Sequence, residues 1–332
     1  MKKSFKSGLI VLIIIILAAL GITAKTIYDG KNATVTVTYA SRGNVSNYDP
    51  KVAKSYKHEY LAAVYIEGTI QQASIDYDQT WLLNTIYKLK DDEKNIGLIL
   101  YIDSPGGAVY QADEAYLALM DYKTSGKPIY VYQGPMAASG GYYISCAGDK
   151  IYANRNTLTG SIGVIFGSSY DLTGLFEKTG IKSETIHSGR NKNMFNYNEP
   201  VTDEQRQIMQ SICDECYEQF VSIVAKNRSM DFNEACKLAD GRIYTAKQAL
   251  ENGLIDKIDS WDGMIEDFSE ELDKPGIKVI TFQKEKKKTF MDYMTGSVKN
   301  YSTAKVAARL GLPESVIEDI NKKENLPMYL YK

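Results

Sequence analysis

The sequence predicts an α/β fold built from repeated βα units. Two stretches support this prediction, because each has an apolar strand pattern, a loop with paired glycines and then a helical pattern. The first begins at Ile96 and the second at Pro128, so the two lie about thirty residues apart, which is the usual length of a βα unit. Strands that alternate with helices in this way form a parallel sheet, and the loops after the strands meet at one edge.

The first unit starts with residues 96–102, an almost continuous run of β-forming apolar side chains that is typical of a strand buried on both faces. A loop of residues 103–109 follows, and an amphipathic helical pattern comes after it. Gly106 and Gly107 therefore stand at the carboxyl end of a buried strand, where α/β proteins bind their ligands. Because they lack side chains, their backbone N–H groups can approach a ligand closely.

The second unit runs from the strand pattern of residues 128–132 into a helix that begins near Ser139. Ser139 occupies the junction between loop and helix and is followed by Gly140 and Gly141. A helix N-terminus offers free N–H groups and a partial positive charge, which can stabilise an oxyanion beside a serine nucleophile. Serine is also a favoured helix cap, and this pattern alone favours the cap over the nucleophile.

Periodicity and turn signals predict further strands and helices. The longest helix opens with a capping box of Thr202 and Gln205, and the last one ends at Gly253, a typical C-terminal glycine. The predicted strands are residues 61–66 and 183–187, and the predicted helices are residues 78–94, 202–228 and 245–253.

Five short blocks, taken in order, resemble the signature blocks of bacterial signal peptide peptidase A, in its short, membrane-anchored form. That family consists of serine peptidases with a ClpP/crotonase-like α/β fold. One block alone is weakly specific, whereas five in the correct order are specific, and the resemblance extends over residues 60–270. The blocks are residues 103–107, 136–143, 158–163, 188–192 and 240–244.

The resemblance implies a role for each matching residue. Ser139 would be the nucleophile and Lys192 the general base of a Ser–Lys dyad. Ser161 would be the hydroxyl that helps to orient the lysine. The backbone N–H groups of Gly107 and Gly140 would form the oxyanion hole.

The scarcity of histidine supports a lysine base. The chain has two histidines, so a Ser–His–Asp triad has few ways to form. His58 lies in a polar stretch, and His187, near Lys192 in the sequence, is the alternative base. A lysine side chain accepts a proton only when neutral, and burial favours the neutral form, so we expect protein and substrate together to bury Lys192. Asn193 departs from the family pattern, which has an acidic residue there.

The N-terminus predicts a transmembrane anchor. Residues 1–7 are basic, and residues 8–25 contain an apolar run of about 16–17 residues, the short limit for a spanning helix. A cleaved signal peptide is the alternative, although Ile22 makes a poor cleavage site after Ala24. The N-terminal lysines would keep that end cytoplasmic and leave the rest of the chain extracytoplasmic.

The segments after the anchor differ in composition. Residues 26–59 are polar and are expected to form an extracytoplasmic tether. Residues 60–283 form the predicted peptidase domain, which is long enough for one substantial core. Residues 284–332 form a C-terminal extension, whose apolar residues 325–332 either cover the domain core or dock in an active site and inhibit it.

The composition argues against several function classes. The net charge of −2 gives no reason to expect nucleic acid as a partner. The four cysteines are too sparse for a disulfide framework. Cys213 and Cys216 have CxxC spacing but fall within a predicted helix, without the second pair or the histidine spacing of a zinc site. Cys146 is expected to pack beneath the nucleophile. No metal and no cofactor are expected.

Taken together, these features predict a membrane-anchored serine endopeptidase. Its expected substrates are released signal peptides and other short apolar peptides, cleaved through an acyl-enzyme on Ser139 with Lys192 as the base. The resemblance also implies a homo-oligomer, and the anchor implies membrane lipid as a partner. Two alternatives stay open: a crotonase-like acyl-CoA enzyme, in which glycine N–H groups hold a thioester oxyanion, and a catalytically inactive oligomeric scaffold at the membrane.

Overall fold

The computed structural model describes residues 58–167 and 170–284. They form an α/β fold of repeated βα units around one eight-stranded sheet, so the predicted fold class is confirmed. The predicted anchor (8–25), nearly all of the tether and nearly all of the C-terminal extension lie outside the described residues. Within the described ranges, no helix combines the length and the apolar character that crossing a membrane requires.

The strands and helices alternate along most of the chain. The strands are β1 (Tyr60–Glu67), β2 (Asn95–Ser104), β3 (Ile129–Ala138), β4 (Lys150–Ala153), β5 (Leu158–Gly160), β6 (Ile243–Thr245), β7 (Lys257–Ile258) and β8 (Lys278–Phe282). The helices are α1 (Gln79–Asp91), α2 (Val109–Lys123), α3 (Gly140–Ser145), α4 (Thr173–Thr179), α5 (Asp203–Asn227), α6 (Phe232–Leu238), α7 (Ala246–Glu251) and α8 (Trp261–Glu271).

The sheet is almost entirely parallel. Its main strand order is β6-β5-β3-β2-β1-β8, with β4 paired to both β3 and β7, and the one antiparallel pair among the described strands is β5 with β6. Helix α1 connects β1 to β2 and helix α2 connects β2 to β3, in two successive crossovers. Since β2 and β3 are parallel neighbours, with Ser104 opposite Ala137 near their carboxyl ends, the loop after β2 and the start of α3 meet at one edge of the sheet.

The strands are buried on both faces because helices cover each side. Alternate side chains of β2, such as Leu98 and Leu100, pack in a core with α1, α2, α3 and α5. Ile99 points to the other face, into a smaller core with α8. In that core the rings of Tyr130 and Phe268 stack at 3.9 Å. Burial on both faces explains why β2 is an apolar run and not an alternating pattern.

Capping explains where the predicted helices begin. The Thr202 side chain and Gln205 form the predicted capping box of α5, and Thr245 caps α7 in the same way.

The strand predicted at 183–187 is wrong, since these residues are exposed and belong to no strand. An alternating pattern forms a strand only where a neighbouring strand accepts its hydrogen bonds, and no described strand lies beside this segment.

The described cysteines are free thiols. Cys146 follows α3 and is 1% exposed. Burial raises the pKa of the Cys146 thiol to about 12, so it stays protonated and unreactive near neutral pH. Cys213 and Cys216 lie half-buried on α5, as predicted.

Candidate active site

Ser139 occupies the N-cap position of α3 in an unusual backbone conformation. Its φ is 53° and its ψ is −120°, in a region that non-glycine residues rarely adopt. Backbone hydrogen bonds hold it there, because its N–H donates to the Gly160 carbonyl at 2.8 Å and its carbonyl accepts from the Tyr143 N–H at 2.9 Å. The Ser139 side chain makes no capping hydrogen bond. Its hydroxyl is therefore not committed to the role that serine usually has at a helix start.

Gly106 packs directly against the candidate nucleophile. Its φ is +100°, and a Cβ at this position would lie 2.6 Å from the Ser139 Cβ and 2.8 Å from the Gly140 nitrogen. Both the conformation and the close approach require glycine. The loop after β2 and the start of α3 are thus in van der Waals contact, as the convergence of the two loops predicted.

Gly107 is held by a single bridge to Ile70. The Ile70 N–H donates to the Gly106 carbonyl at 2.9 Å, and the Ala108 N–H donates to the Ile70 carbonyl at 2.8 Å. In a parallel bridge of this kind the bonds go to the neighbours of Gly107, so its own N–H points away from Ile70. The Gly107 nitrogen lies 3.4 Å from the position that a Cβ on Gly140 would take. The two predicted oxyanion donors are therefore neighbours in space.

Ser104, at the end of β2, stabilises the loop that contains Gly106 and Gly107. It had no role in the sequence-based prediction. It is fully buried, its hydroxyl donates to the Gly68 carbonyl at 2.6 Å, and it accepts from the Gly106 N–H at 3.1 Å. The hydroxyl thus ties the end of β2 to the segment after β1. Its position at the end of a buried strand, directly before Pro105, was the sequence signal for such a role.

Ser161 also has a left-handed backbone, with φ 50°. A turn in the 240–244 block holds it in place: the Ser161 N–H donates to the Arg242 carbonyl at 2.8 Å, and the Gly241 N–H donates to the Ile162 carbonyl at 3.1 Å. Within the turn, the Asp240 carboxylate accepts from the Arg242 backbone N–H and side chain. Hydrogen bonding from the Arg242 guanidinium lowers the pKa of Asp240, so Asp240 is ionised near neutral pH.

A cavity of about 580 Å³ opens beside these residues. Ser139, Ser161 and Gly107 line it, so the structure brings three of the five predicted site residues together, and Gly140 adjoins them. The other lining side chains are three aliphatic groups, one tyrosine and one carboxylate: Val164, Ile165, Ala239, Tyr217 and Asp240. None of these five was predicted as a site residue. Within the described ranges, no cluster of His, Cys, Asp and Glu could hold a metal ion.

Lys192 is not part of this cavity in the single chain. Its side chain is exposed, and its N–H donates to the Gly189 carbonyl at 2.9 Å in a surface turn. His187, the alternative base, is exposed in the same segment, with its Nδ1 3.2 Å from the Gly189 carbonyl oxygen. Neither candidate base lines the cavity at Ser139. A dyad within one described chain is therefore not assembled.

The segment that carries Lys192 exposes an unusual amount of apolar surface. Helix α4 has no buried residue, and Ile165 and Ile186 are 90% and 95% exposed. The other large exposed side chains are Phe166, Tyr170, Leu175, Ile181 and Tyr197. Apolar surface of this extent usually marks a contact with another molecule.

The turn around Lys192 is tied to helix α5. Arg190 and Asn191 both donate to the Glu204 carboxylate in the first turn of α5. Asn193, where the resemblance implies an acidic residue, donates its side-chain amide to the Glu199 carboxylate. An acidic group therefore lies beside this position even though the residue itself is an amide.

Known proteins resemble this chain in sequence and in fold. Residues 121–275 match Peptidase family S49. The chain is 35% identical over 263 residues to a protein named "Putative signal peptide peptidase SppA" from Enterococcus faecium, which covers 77% of this chain and 74% of that protein. It is 32% identical over 205 residues to "Protease 4" from Haemophilus influenzae, over 61% of this chain and 33% of that protein. A solved structure of a ClpP1 mutant from Listeria monocytogenes matches 64% of this chain and 97% of its own, with a TM-score of 0.41 and 17% sequence identity.

Proposed function

From the premise that the chain belongs to peptidase family S49 and is a serine protease, we propose that it is a membrane-anchored endopeptidase that cleaves released signal peptides and other short apolar peptides. The observation that carries the proposal is the Ser139 hydroxyl, which makes no capping bond and lines a cavity beside the Gly107 N–H. A hydroxyl in this position can attack a peptide carbonyl while backbone donors receive the developing charge.

The proposed reaction uses Ser139 as the nucleophile and Lys192 as the base. Neutral Lys192 Nζ takes the proton of Ser139 Oγ while Oγ bonds to the carbonyl carbon of the substrate. The oxyanion accepts hydrogen bonds from the N–H groups of Gly107 and Gly140, each of the kind that contributes about 10²–10³ in kcat. The C–N bond then breaks, the lysine gives its proton to the leaving amine, and an ester on Ser139 remains. Water, deprotonated by the same lysine, hydrolyses the ester and frees Ser139.

The cavity supports an apolar peptide as the substrate. Val164, Ile165 and Tyr217 offer apolar surface next to Ser139, and burial of a large apolar side chain against such surface contributes about 1.5–3 kcal/mol. Signal peptides have an apolar central segment. The basic residues 1–7 and the apolar run within 8–25 support an anchor that keeps the catalytic domain extracytoplasmic and at the membrane surface, where released signal peptides remain.

A second copy of the chain completes the proposed site. Lys192 is exposed and outside the cavity, and the segment around it presents α4 and its apolar neighbours to solvent. Packing this segment against an adjacent copy would bury the apolar side chains and bring Lys192 to the Ser139 of that copy. Burial there would also favour the neutral form of a lysine. The active oligomer is thus one in which each cavity receives its base from a neighbour.

Covalent labelling tests the proposed function. A fluorophosphonate should label the full-length, detergent-solubilised protein at Ser139, because only an activated serine beside an oxyanion hole reacts readily. Mass spectrometry of the digested adduct identifies the modified residue, and Ser139→Ala should prevent labelling. The rate at which the protein cleaves a synthetic signal peptide should fall in proportion to the fraction of protein that is labelled. An acyl-CoA enzyme or an inactive scaffold would show neither labelling at Ser139 nor peptide cleavage, and that result would refute the proposal.

A further inference from the structure

The two proposed oxyanion donors belong to the beginnings of two different helices. Gly107 lies two residues before α2, and Gly140 is the first residue of α3. The distance between their N–H groups therefore depends on how α2 and α3 are held against each other. Both donors must reach the oxyanion at hydrogen-bond distance, so a shift of either helix weakens the stabilisation of the transition state.

Small residues make the close contact between α2 and α3 near these donors. A Cβ on Gly140 would lie 3.3 Å from the Cβ of Ala112, so the backbone of α3 lies directly against α2. Such packing brings the helices together, but apolar contact has no preferred direction. A hydrogen bond has a preferred direction. A hydrogen bond that joins α2 and α3 is found one turn further along α3, at Tyr143.

The Tyr143 hydroxyl connects three helices. It donates to Asp113 Oδ1 of α2 at 2.6 Å and accepts from Gln219 Nε2 of α5 at 2.7 Å. The ring is 4% exposed and packs against Tyr116 and Phe220, with ring centroids 5.6 and 5.0 Å away. Burial raises the pKa of the Tyr143 phenol, so the hydroxyl keeps the proton that it donates to Asp113.

Tyr143 is also linked to the nucleophile through the backbone. Its N–H donates to the Ser139 carbonyl and closes the first turn of α3. A displacement of Tyr143 would therefore move the turn that contains Ser139 and Gly140. On the other side of the network, Gln219 lies two residues after Tyr217, which lines the cavity.

We propose that Tyr143 is a positioning residue of this peptidase, whose hydrogen bond to Asp113 sets the spacing of α2 and α3 and so of the Gly107 and Gly140 donors. The inference rests on the proposed function, because it assigns Tyr143 to the oxyanion hole of that reaction. Tyr143 acts through the two helices and does not touch the reacting atoms. The Tyr143–Asp113 hydrogen bond is short, at 2.6 Å, and a hydrogen bond has a preferred direction, which suits it to this role.

Removing the single hydroxyl tests the proposal. Tyr143→Phe should lower kcat for a signal-peptide substrate about tenfold, which is less than the 10²–10³ expected for loss of an oxyanion donor itself. KM should stay within about twofold, because the cavity that binds the substrate is unchanged. Fluorophosphonate labelling should slow by a similar factor, since the phosphonyl oxygen uses the same donors. Asp113→Ala should behave like Tyr143→Phe, whereas Asp113→Asn, which keeps an acceptor oxygen, should lose no more than about threefold in kcat.

Tyr116 provides the matched control. Its hydroxyl accepts from Asn227 Nδ2 at 2.9 Å, so it connects α2 to α5 in the same cluster but does not contact α3 through a hydrogen bond. Tyr116→Phe removes the same group from a similarly buried ring. It should lower the thermal unfolding temperature about as much as Tyr143→Phe, but leave kcat unchanged.

Two outcomes would overturn the proposal. In the first, Tyr143→Phe has the kcat of the wild type; in the second, Tyr116→Phe loses as much kcat as Tyr143→Phe, which would indicate a general loss of stability. If Tyr143→Phe does not fold, the kcat values of Asp113→Ala and Asp113→Asn test the proposal in its place. Equal kcat values for these two variants would reject it. Failure of the proposed function is recognised separately, because the wild type would then show neither labelling at Ser139 nor peptide cleavage, and the role of Tyr143 would be rejected with it.

Discussion

Lys192→Ala should abolish peptide hydrolysis as completely as Ser139→Ala, with a loss in kcat of at least about 10³-fold for either change. In the proposed mechanism the two groups act in one proton transfer: without Lys192 the serine hydroxyl has no base, and without Ser139 there is no nucleophile. Steady-state cleavage of a synthetic signal peptide by the full-length protein measures the loss. Circular dichroism and thermal unfolding should match the wild type, because the Lys192 side chain is exposed in the single chain.

His187→Ala is the matched control for this prediction. His187 lies in the same exposed segment, with its ring near the Gly189 carbonyl, and it is the alternative base. Its removal should leave kcat within about twofold of the wild type. The Ser–Lys assignment would be wrong if Lys192→Ala kept more than a few per cent of activity while His187→Ala lost it.

The same variants show which chain supplies the base. Subunits with Ser139→Ala and subunits with Lys192→Ala, each inactive alone, should recover activity when mixed and reassembled. In a ring with random mixing, about a quarter of the sites would combine an intact serine with an intact lysine from the neighbour. Native mass spectrometry verifies that mixed oligomers have formed. Mixed oligomers without activity would mean that each chain uses its own lysine.

Local signals were sufficient to predict much of the fold. β2 is a long apolar run that ends in a glycine-containing loop, and β3 begins with the apolar run predicted at 128–132 but continues to Ala138. The sequence of Thr202 and Gln205 specifies a helix start through hydrogen bonds within four residues. The place of Ser139 at a strand-to-helix junction followed from the same local information. These features depend on residues that are close together in the sequence, so local sequence patterns can predict them.

Features that depend on distant residues could not be predicted in this way. The hydroxyl of Tyr143 binds partners 30 and 76 residues away, and no spacing rule relates them. The bridge between Ile70 and Gly107 is equally non-local. The strand predicted at 183–187 was wrong for a related reason. A strand forms only beside a partner strand, and the periodicity of one segment does not show whether a partner lies beside it. Lys192 was matched by its block, but no local pattern indicated that it lies outside the cavity at Ser139.

Gly107→Ala should cause the second large loss of activity, through a clash with the neighbouring backbone. A Cβ at Gly107 would lie 1.9 Å from the Ile70 carbonyl oxygen and 2.7 Å from its carbonyl carbon. Both atoms belong to the main chain, so no side-chain rotation relieves the overlap. The loop must move away from Ile70, which breaks the hydrogen bonds of Ile70 with Gly106 and Ala108. Overpacking of this kind costs about 1–3 kcal/mol in the free energy of unfolding.

The loss in activity should exceed what that loss of stability explains, because the displaced residue carries a proposed oxyanion donor. Moving the Gly107 N–H out of hydrogen-bond range should lower kcat about 10²–10³-fold, with a smaller change in KM. Gly126→Ala is the control: Gly126 has φ +77° with no atom within 4 Å of an added Cβ, so alanine there strains the backbone by about 1 kcal/mol or more without a clash. It should lower the unfolding temperature and leave kcat unchanged. A folded Gly107→Ala protein with kcat within a few-fold of the wild type would show that neither the Ile70 contact nor the Gly107 N–H contributes to catalysis.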